Sequence, residues 1–306
     1  MALKIIFMGT PNFAVPILKA IHHSDHKILE VYTQPANKSG RGQKINHSDI
    51  YKYAKQLNLK VRCPVSLEST EEINYFKKLK PDLVVVAAYG KILPTKLLNI
   101  DALHFINVHA SLLPKWRGAA PIHRAIMNMD TETGISIMKI ISQLDAGPVM
   151  MQEKIKITHD MSHDFLSKKM SELGAKLILD SLKLIENNTA NFIDQNNSEA
   201  TYAKKIQKIE SKINWHENAK KIIAKINAFC PNPGCWFEFS GARIKIIRAI
   251  EIEKKGEAGT FLDSKMTIAC AKNAIRILEL KKEGKKQMLA DEYLKGNKIK
   301  IGQKIS

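Results

Sequence analysis

LKIIFMGTPNFAVPILKAI, residues 3–21, sets the architecture of the chain. Its apolar run from Leu3 to Met8 has the length of a buried strand. Gly9 turns the chain, Thr10 can cap, and Pro11 suits the first position of a helix whose spacing runs over 12–22. The same alternation repeats downstream. Residues 28–33, 82–88, 104–109 and 135–141 are apolar and strand-like, whereas 49–59, 69–80, 119–129 and 162–187 have helical spacing. Strands alternating with helices predict a mostly parallel, Rossmann-like sheet covered by helices, an α/β domain.

Residues 187–200 (NNTANFIDQNNSEA) are polar and rich in asparagine. After a helical stretch near 215–229, Pro231, Pro233 and Gly234 break the chain. Short β-like runs then follow at 235–239, 243–250, 259–262, 266–270 and 275–280, which predicts a small β-barrel resembling an OB fold. The expected organisation is a catalytic domain over 1–189, a linker over 190–206 and a second domain over 207–306.

Charge separates the two halves. The 306 residues carry 48 Lys+Arg against 30 Asp+Glu, a formal net charge of +18. From Thr201 onward there are 23 basic and 11 acidic side chains, so a third of the chain holds +12 of that excess. A basic domain of this kind attracts polyanions, and a Lys-rich surface that is merely soluble is the alternative. Cys63, Cys230, Cys235 and Cys270 show no zinc spacing, and reduced thiols are expected. His22, His23 and His26 cluster, and His159 and His163 are four apart, but no Cys or acidic residue completes a metal set. GTPNFA is not a dinucleotide fingerprint, so neither NAD nor a metal is expected. With no apolar run of membrane length and no signal-like start, the expected location is the cytoplasm, and a monomer is the simplest state.

The densest chemistry is NVHASLLPKWRG, residues 107–118. Asn107 and His109 are two apart, so on a strand they share a face, at the end where an α/β sheet opens onto its ligand crevice. A carboxamide and an imidazole there suit acyl transfer, one stabilising an oxyanion while the other moves a proton. Two polar residues satisfying a loop backbone would look the same. Asp145, in LDAGP, sits in another loop. If the strands of 104–109 and 135–141 are neighbours, it lies within reach of His109. Ser111 lacks the G-x-S-x-G context of a nucleophile.

Together these stretches resemble the folate-dependent formyltransferase family, in the branch acting on methionyl-tRNA. The likeness extends over GTPNFA (9–14), VYTQP (31–35), VVAAYGKILP (86–94), NVHASLLPKWRGAAPI (107–122), GISIMKI…LDAGPV (134–149), TYAKKI (201–206), INW (213–215) and FCPNPGCW (229–236). It implies that Asn107, His109 and Asp145 are catalytic, and that the donor is 10-formyltetrahydrofolate. Ser111, Leu112, Leu113 and Pro114, with Gly90 and Ile92, are implied to hold that donor. The acceptor would be initiator methionyl-tRNA. The loop 35–46, longer than most α/β connections, would enter its acceptor end with Arg41, flanked by Lys38 and Lys44. Arg243, Lys245, Lys281 and Lys282 would follow its phosphates. Two places depart from the family pattern: Arg62 and Cys63 before PVSL, and Glu210 in QKIES. A formyltransferase for a small amine, a folate-derivative hydrolase and an RNA-binding protein on a degenerate scaffold are the rival readings.

Overall fold

The computed structural model describes residues 2–39, 44–100 and 103–305. It divides into two compact units. The first comprises residues 1–121, 133–155 and 167–203, and the second 122–132, 156–166 and 204–306.

The first unit is built on a seven-stranded sheet. Its strands are β1 (Lys4–Gly9), β2 (Lys27–Tyr32), β5 (Val61–Arg62), β6 (Leu83–Ala87), β7 (His104–His109), β9 (Glu132–Lys139) and β10 (Val149–Lys156), in the order β10-β9-β7-β6-β1-β2-β5. From β5 to β7 the pairings are parallel, and β9 joins β7 antiparallel. All five residues of β6 (LVVVA) are buried. This is the run of a strand covered on both faces. Ile6, Met8, Tyr32, Phe76, Val84, Val86 and Phe105 form a core cluster in this unit. Each such side chain contributes roughly 1.5–3 kcal/mol by leaving water.

Helices α1 (Val15–His22), α2 (Asp49–Gln56), α3 (Thr70–Lys78), α4 (Thr95–Leu98), α5 (Pro121–Met127) and α6 (His163–Glu186) fall between or after the strands. Two begin as their sequences dictate, because the Ser48 and Ser69 hydroxyls accept the backbone N–H of Tyr51 and Glu72. The loop expected over 35–46 carries two short antiparallel strands, β3 (Asn37–Ser39) and β4 (Lys44–Asn46). Arg41 lies outside the described residues, as do the side chains of Lys38 and Lys44.

β8 (Arg117–Gly118) pairs in parallel with β11 (Tyr202–Ala203), so the polar segment after residue 190 is bonded to the loop that follows β7. Val149 and Ile193 exchange both backbone hydrogen bonds upstream of this, at 2.8 and 2.9 Å.

The second unit is an antiparallel sheet. β12 (Cys235–Phe239), β13 (Ala242–Ile252), β15 (Ala274–Lys282) and β14 (Thr267–Ala269) lie in that order, and β16 (Met288–Leu289) pairs with β15. Register irregularities between Ile246 and Ala249 bend the long β13–β15 ribbon. Residues 259–262, expected as a strand, make isolated bridges at Thr260 and Phe261 instead. Helix α7 (Ala219–Phe229) packs on β13, and α8 (Ala290–Gly296) follows β16. Among the described residues, no helix is long and apolar enough to cross a membrane.

Within this unit the His123 ring meets that of His163 at a tilt, centroids 3.8 Å apart, with Phe229 at 6.1 Å. The neighbouring Arg124 holds Glu210 by two bonds of 2.6 and 3.1 Å, which gives the unusual Glu210 a structural partner. Burial, with positive charge on His163 and Arg124 adding to it, pushes His123 down to about 3. Burial lowers His163 as well. A folded-state value below the unfolded one means that the unfolded chain binds the extra proton. Stability is therefore complete above pH 6.5 and is lost as pH falls toward 3. Acidification from pH 7 to 5 is expected to cost roughly 2 kcal/mol through His123 alone. Denaturant midpoints at the two pH values should show a clearly smaller loss for His123→Gln, and an unchanged loss would exclude this histidine as the cause.

Candidate active site

The loops that follow the parallel strands meet at one edge of the first unit. Beyond β1, the Thr10 hydroxyl donates to the Tyr89 carbonyl at 2.8 Å. Beyond β2, the Gln34 amide donates to the same oxygen at 2.9 Å. Tyr89 itself follows β6, so three strand ends are tied at one carbonyl. This is the edge where open α/β sheets bind ligands. Gly90 and Ile92 are exposed here, Ile92 at 91%, while the Lys91 ammonium is anchored to the Pro64 and Val65 carbonyls.

Beside β6 runs β7, which carries Asn107 and His109. Asn107 sits between Val86 and Met138 in the sheet, and His109 lies opposite Ser136. Asn107 is half-buried, and among the described residues its carboxamide has no hydrogen-bond partner. His109 is 6% exposed. Its Nε2 lies 3.0 Å from the Trp116 carbonyl oxygen. A carbonyl only accepts, so Nε2 carries the hydrogen and Nδ1 is the nitrogen left for chemistry. Nδ1 stands 3.6 Å from Asp145 Oδ2. The same carboxylate oxygen accepts the Gly118 N–H at 2.8 Å.

The register shows how Asp145 arrives there. β9 is antiparallel to β7, and its last residue, Lys139, pairs with Ile106, three residues short of His109. The loop 140–148 must therefore carry Asp145 back. It is pinned at its far end, where Lys139 N–H donates to the Pro148 carbonyl. Gly147 makes this possible, because a Cβ there would overlap the Lys139 carbonyl oxygen. At the other side of the site, Gly118 has φ +117° and a Cβ would stand 2.9 Å from the Ala203 carbonyl oxygen, so β8 can meet β11 only with glycine. Ala88, Trp116 and Asp145 also have positive φ, at 47°, 62° and 46°. Non-glycine residues held there store strain, and such residues gather at functional sites.

The turn after His109 is held from below by Ser136. Its hydroxyl donates to the Ser111 carbonyl at 2.6 Å and accepts from Leu113 N–H at 3.0 Å and from Gln152 Nε2 at 2.7 Å. That uses the full capacity of a hydroxyl. Gln152 also donates to the Leu113 carbonyl. The Ser111 hydroxyl, fully buried, donates to the Lys115 carbonyl, so this side chain shapes the turn. A cavity of about 250 Å³ lies beside Leu113 and Pro114, bounded by Val149–Gln152 and Ile193–Asn196. From the other side Trp116 N–H donates to the Thr201 hydroxyl and Arg117 N–H to the Thr201 carbonyl, both at 2.9 Å.

Sequence reasoning passed over Ser136, Gln152, Arg117 and Gln195. A serine in the apolar strand GISIMKI was a usable signal, since a buried hydroxyl needs partners. Gln195 lay in a stretch whose polar composition looked like solvated linker. Among the described residues no group of three or more His, Cys, Asp or Glu could hold a metal ion.

In the second unit Arg243, Lys245 and Lys281 share the outer face of the sheet. Lys245 stands directly opposite Trp236 on one side and Lys281 on the other. The Arg243 guanidinium lies 3.8 Å from the Trp236 ring centroid, and Lys245 Nζ donates to the Pro233 carbonyl. Lys282 pairs with buried Ile244 and so lies on the opposite face from Lys281.

Residues 3–182 match the family model described as formyl transferase, and residues 205–298 match that of the formyl transferase C-terminal domain. A methionyl-tRNA formyltransferase of Pelagibacter ubique is 46% identical, covering 100% of this chain and 99% of that protein. One from Paramagnetospirillum magneticum is 41% identical over 98% and 99%. Among solved structures, HypX from Aquifex aeolicus in complex with tetrahydrofolic acid has a TM-score of 0.68 at 16% identity. The match covers 99% of this chain but only 51% of HypX. WlaRD, a sugar 3N-formyl transferase solved with dTDP and 5-N-formyl-THF, has a TM-score of 0.68 at 20% identity over 94% and 100%. With both halves matched in order and relatives above 40% identity along its length, this chain belongs to the formyl transferase family and is a formyltransferase.

Proposed function

We propose that this enzyme transfers the formyl group of 10-formyltetrahydrofolate to the α-amino group of initiator methionyl-tRNA. The observation that carries the reading is the meeting of His109 Nδ1 and Asp145 Oδ2 at 3.6 Å, one strand pleat from Asn107, at the open edge of the sheet. The activity of the relatives matched along their whole length supports the acceptor, and the folates in the fold relatives support the donor.

The amine nitrogen attacks the formyl carbon. A C–N bond forms, and charge gathers on the formyl oxygen. The bond from carbon to the folate nitrogen then breaks, and that nitrogen leaves with a proton. Asn107 offers N–H groups to the oxyanion. His109, its Nε2–H tied to Trp116, uses Nδ1 to gain and release the proton, and Asp145 stabilises the imidazolium and orients the ring. The attacking amine passes its own proton through a water to Asp145, which relays it to His109 Nδ1, and the imidazolium delivers it to the departing folate nitrogen. The donor lies along the 88–93 loop, where Gly90 and Ile92 are exposed, and against the turn Ser111–Pro114. Ser111 contributes through the shape of that turn.

The tRNA is held by charge. Lys245 and Lys281 are like charges set directly opposite each other, an arrangement that costs stability unless a polyanion covers it. Arg243 extends the same face. Lys282, on the other face, contributes less, and Arg41, Lys38 and Lys44 add contacts to the acceptor end.

Labelled formyl donor offered with charged methionyl-tRNA, uncharged tRNA and free methionine should label the charged tRNA alone. Label in free methionine, or donor hydrolysis without transfer, would favour the small-amine or hydrolase alternatives. Asn107→Ala should lower kcat by roughly 10²–10³ with an unchanged melting temperature, as loss of an oxyanion donor does elsewhere. Near-normal turnover would remove Asn107 from the mechanism. The logarithm of tRNA affinity should fall with the logarithm of salt at a slope worth several phosphates, and Lys281→Ala should reduce that slope by about 1. A flat salt response would assign the basic face to solubility.

A further inference from the structure

We propose that Gln195 is a positioning residue for formyl transfer, clamping the loop that presents Asp145. Its Nε2 donates to the Asp145 carbonyl at 2.9 Å and to the Gly147 carbonyl at 2.7 Å. Its Oε1 accepts from Arg117 Nε at 3.0 Å and Nη2 at 2.9 Å. The orientation of the carboxamide is dictated by its neighbours. A guanidinium only donates and a carbonyl only accepts, so oxygen must face Arg117 and nitrogen the loop. Both N–H groups and the oxygen are engaged, and no other natural side chain of this length offers both functions.

The clamp closes a ring of hydrogen bonds around the catalytic carboxylate. Arg117, 3% exposed, grips Gln195 and also donates to Asn197 Oδ1 at 2.8 Å. Gln195 grips the Asp145 backbone. The Asp145 carboxylate accepts from the N–H of Gly118, the residue after Arg117, which completes the circuit. Asp145 is thus held at both its backbone and its side chain. A residue at φ 46° needs such support, because its conformation is unfavourable alone. Loosening the backbone end would leave the carboxylate free to swing from His109 Nδ1, and a displacement of about 1 Å can cost roughly 10²-fold in rate.

The inference rests on the reading of Asp145 as the partner of His109. Gln195→Glu distinguishes the clamp from a simple anchor. It keeps, and charges, the acceptor for Arg117, but sets oxygen against the two loop carbonyls. With labelled 10-formyltetrahydrofolate and charged initiator methionyl-tRNA, Gln195→Glu and Gln195→Ala are expected to lose roughly 10- to 100-fold in kcat. KM for either substrate should change less than about twofold, the split expected when a catalytic group is misplaced but binding is kept. Wild-type kcat in Gln195→Glu would overturn the proposal and leave Gln195 as an anchor for its own segment. So would a fall in kcat matched by rising KM and a lower melting temperature in both variants. Asp145→Asn in the same assay separates the two levels. If it is fully active, the underlying reading fails. If it is inactive while Gln195→Glu is normal, only the clamp fails.

Discussion

A single buried imidazole organises the first unit. His109 has a backbone carbonyl on one nitrogen and a carboxylate near the other. Neither contact comes from its own strand. The carbonyl belongs to a turn that must be shaped, and the carboxylate to a loop that must be folded back past three residues of β7. Much of the polar architecture around the sheet edge serves those two requirements. Ser136 and Gln152 fasten the turn, Gly147 lets the returning loop touch β9, and Gly118 donates to the carboxylate. The apolar sheet supplies the rigid platform, and its large buried area absorbs the strain stored in Trp116 and Asp145.

The second unit follows different physics. Its interior is an ordinary apolar packing of Phe237, Phe239, Ile244, Ile246 and Phe261, with Phe239 and Phe261 meeting edge-on at 5.1 Å. On its exterior Lys245 and Lys281 stand opposite each other, a like-charge pair that works against stability, while Arg248 pairs with Glu279 at 2.9 Å. Arg243 and Lys245 are both held in place, the guanidinium by stacking on Trp236 and the ammonium by the Pro233 carbonyl. A fixed cation loses less freedom on meeting a phosphate than a free lysine does.

Much of this was legible in the sequence, for physical reasons. Runs such as LVVVA and KIIFM read as covered strands, and the helical spacing over 49–59 and 69–80 falls on α2 and α3. The strand β10 was not legible, because VMMQEKIK is half-exposed and shows no continuous apolar run. β5, β8 and β11 are two residues each, too short for any periodicity to register. Asn107, His109 and Asp145 could be named from motif likeness, yet the route of Asp145 to the imidazole depends on an antiparallel register no local pattern encodes. Gln195 and Thr201 escaped because composition cannot separate a polar side chain facing water from one facing a carbonyl.

The pairing of β11 with β8 has a bearing on how the protein comes into being. Trp116, whose carbonyl orients His109, is secured by Thr201, 85 positions later. A growing chain emerging from the ribosome therefore possesses its sheet, its imidazole and its carboxylate well before it possesses the strap that holds them in register. A fragment ended at residue 189 would lack Gln195, Thr201 and β11, and with them the bonds to Arg117, Trp116 and β8.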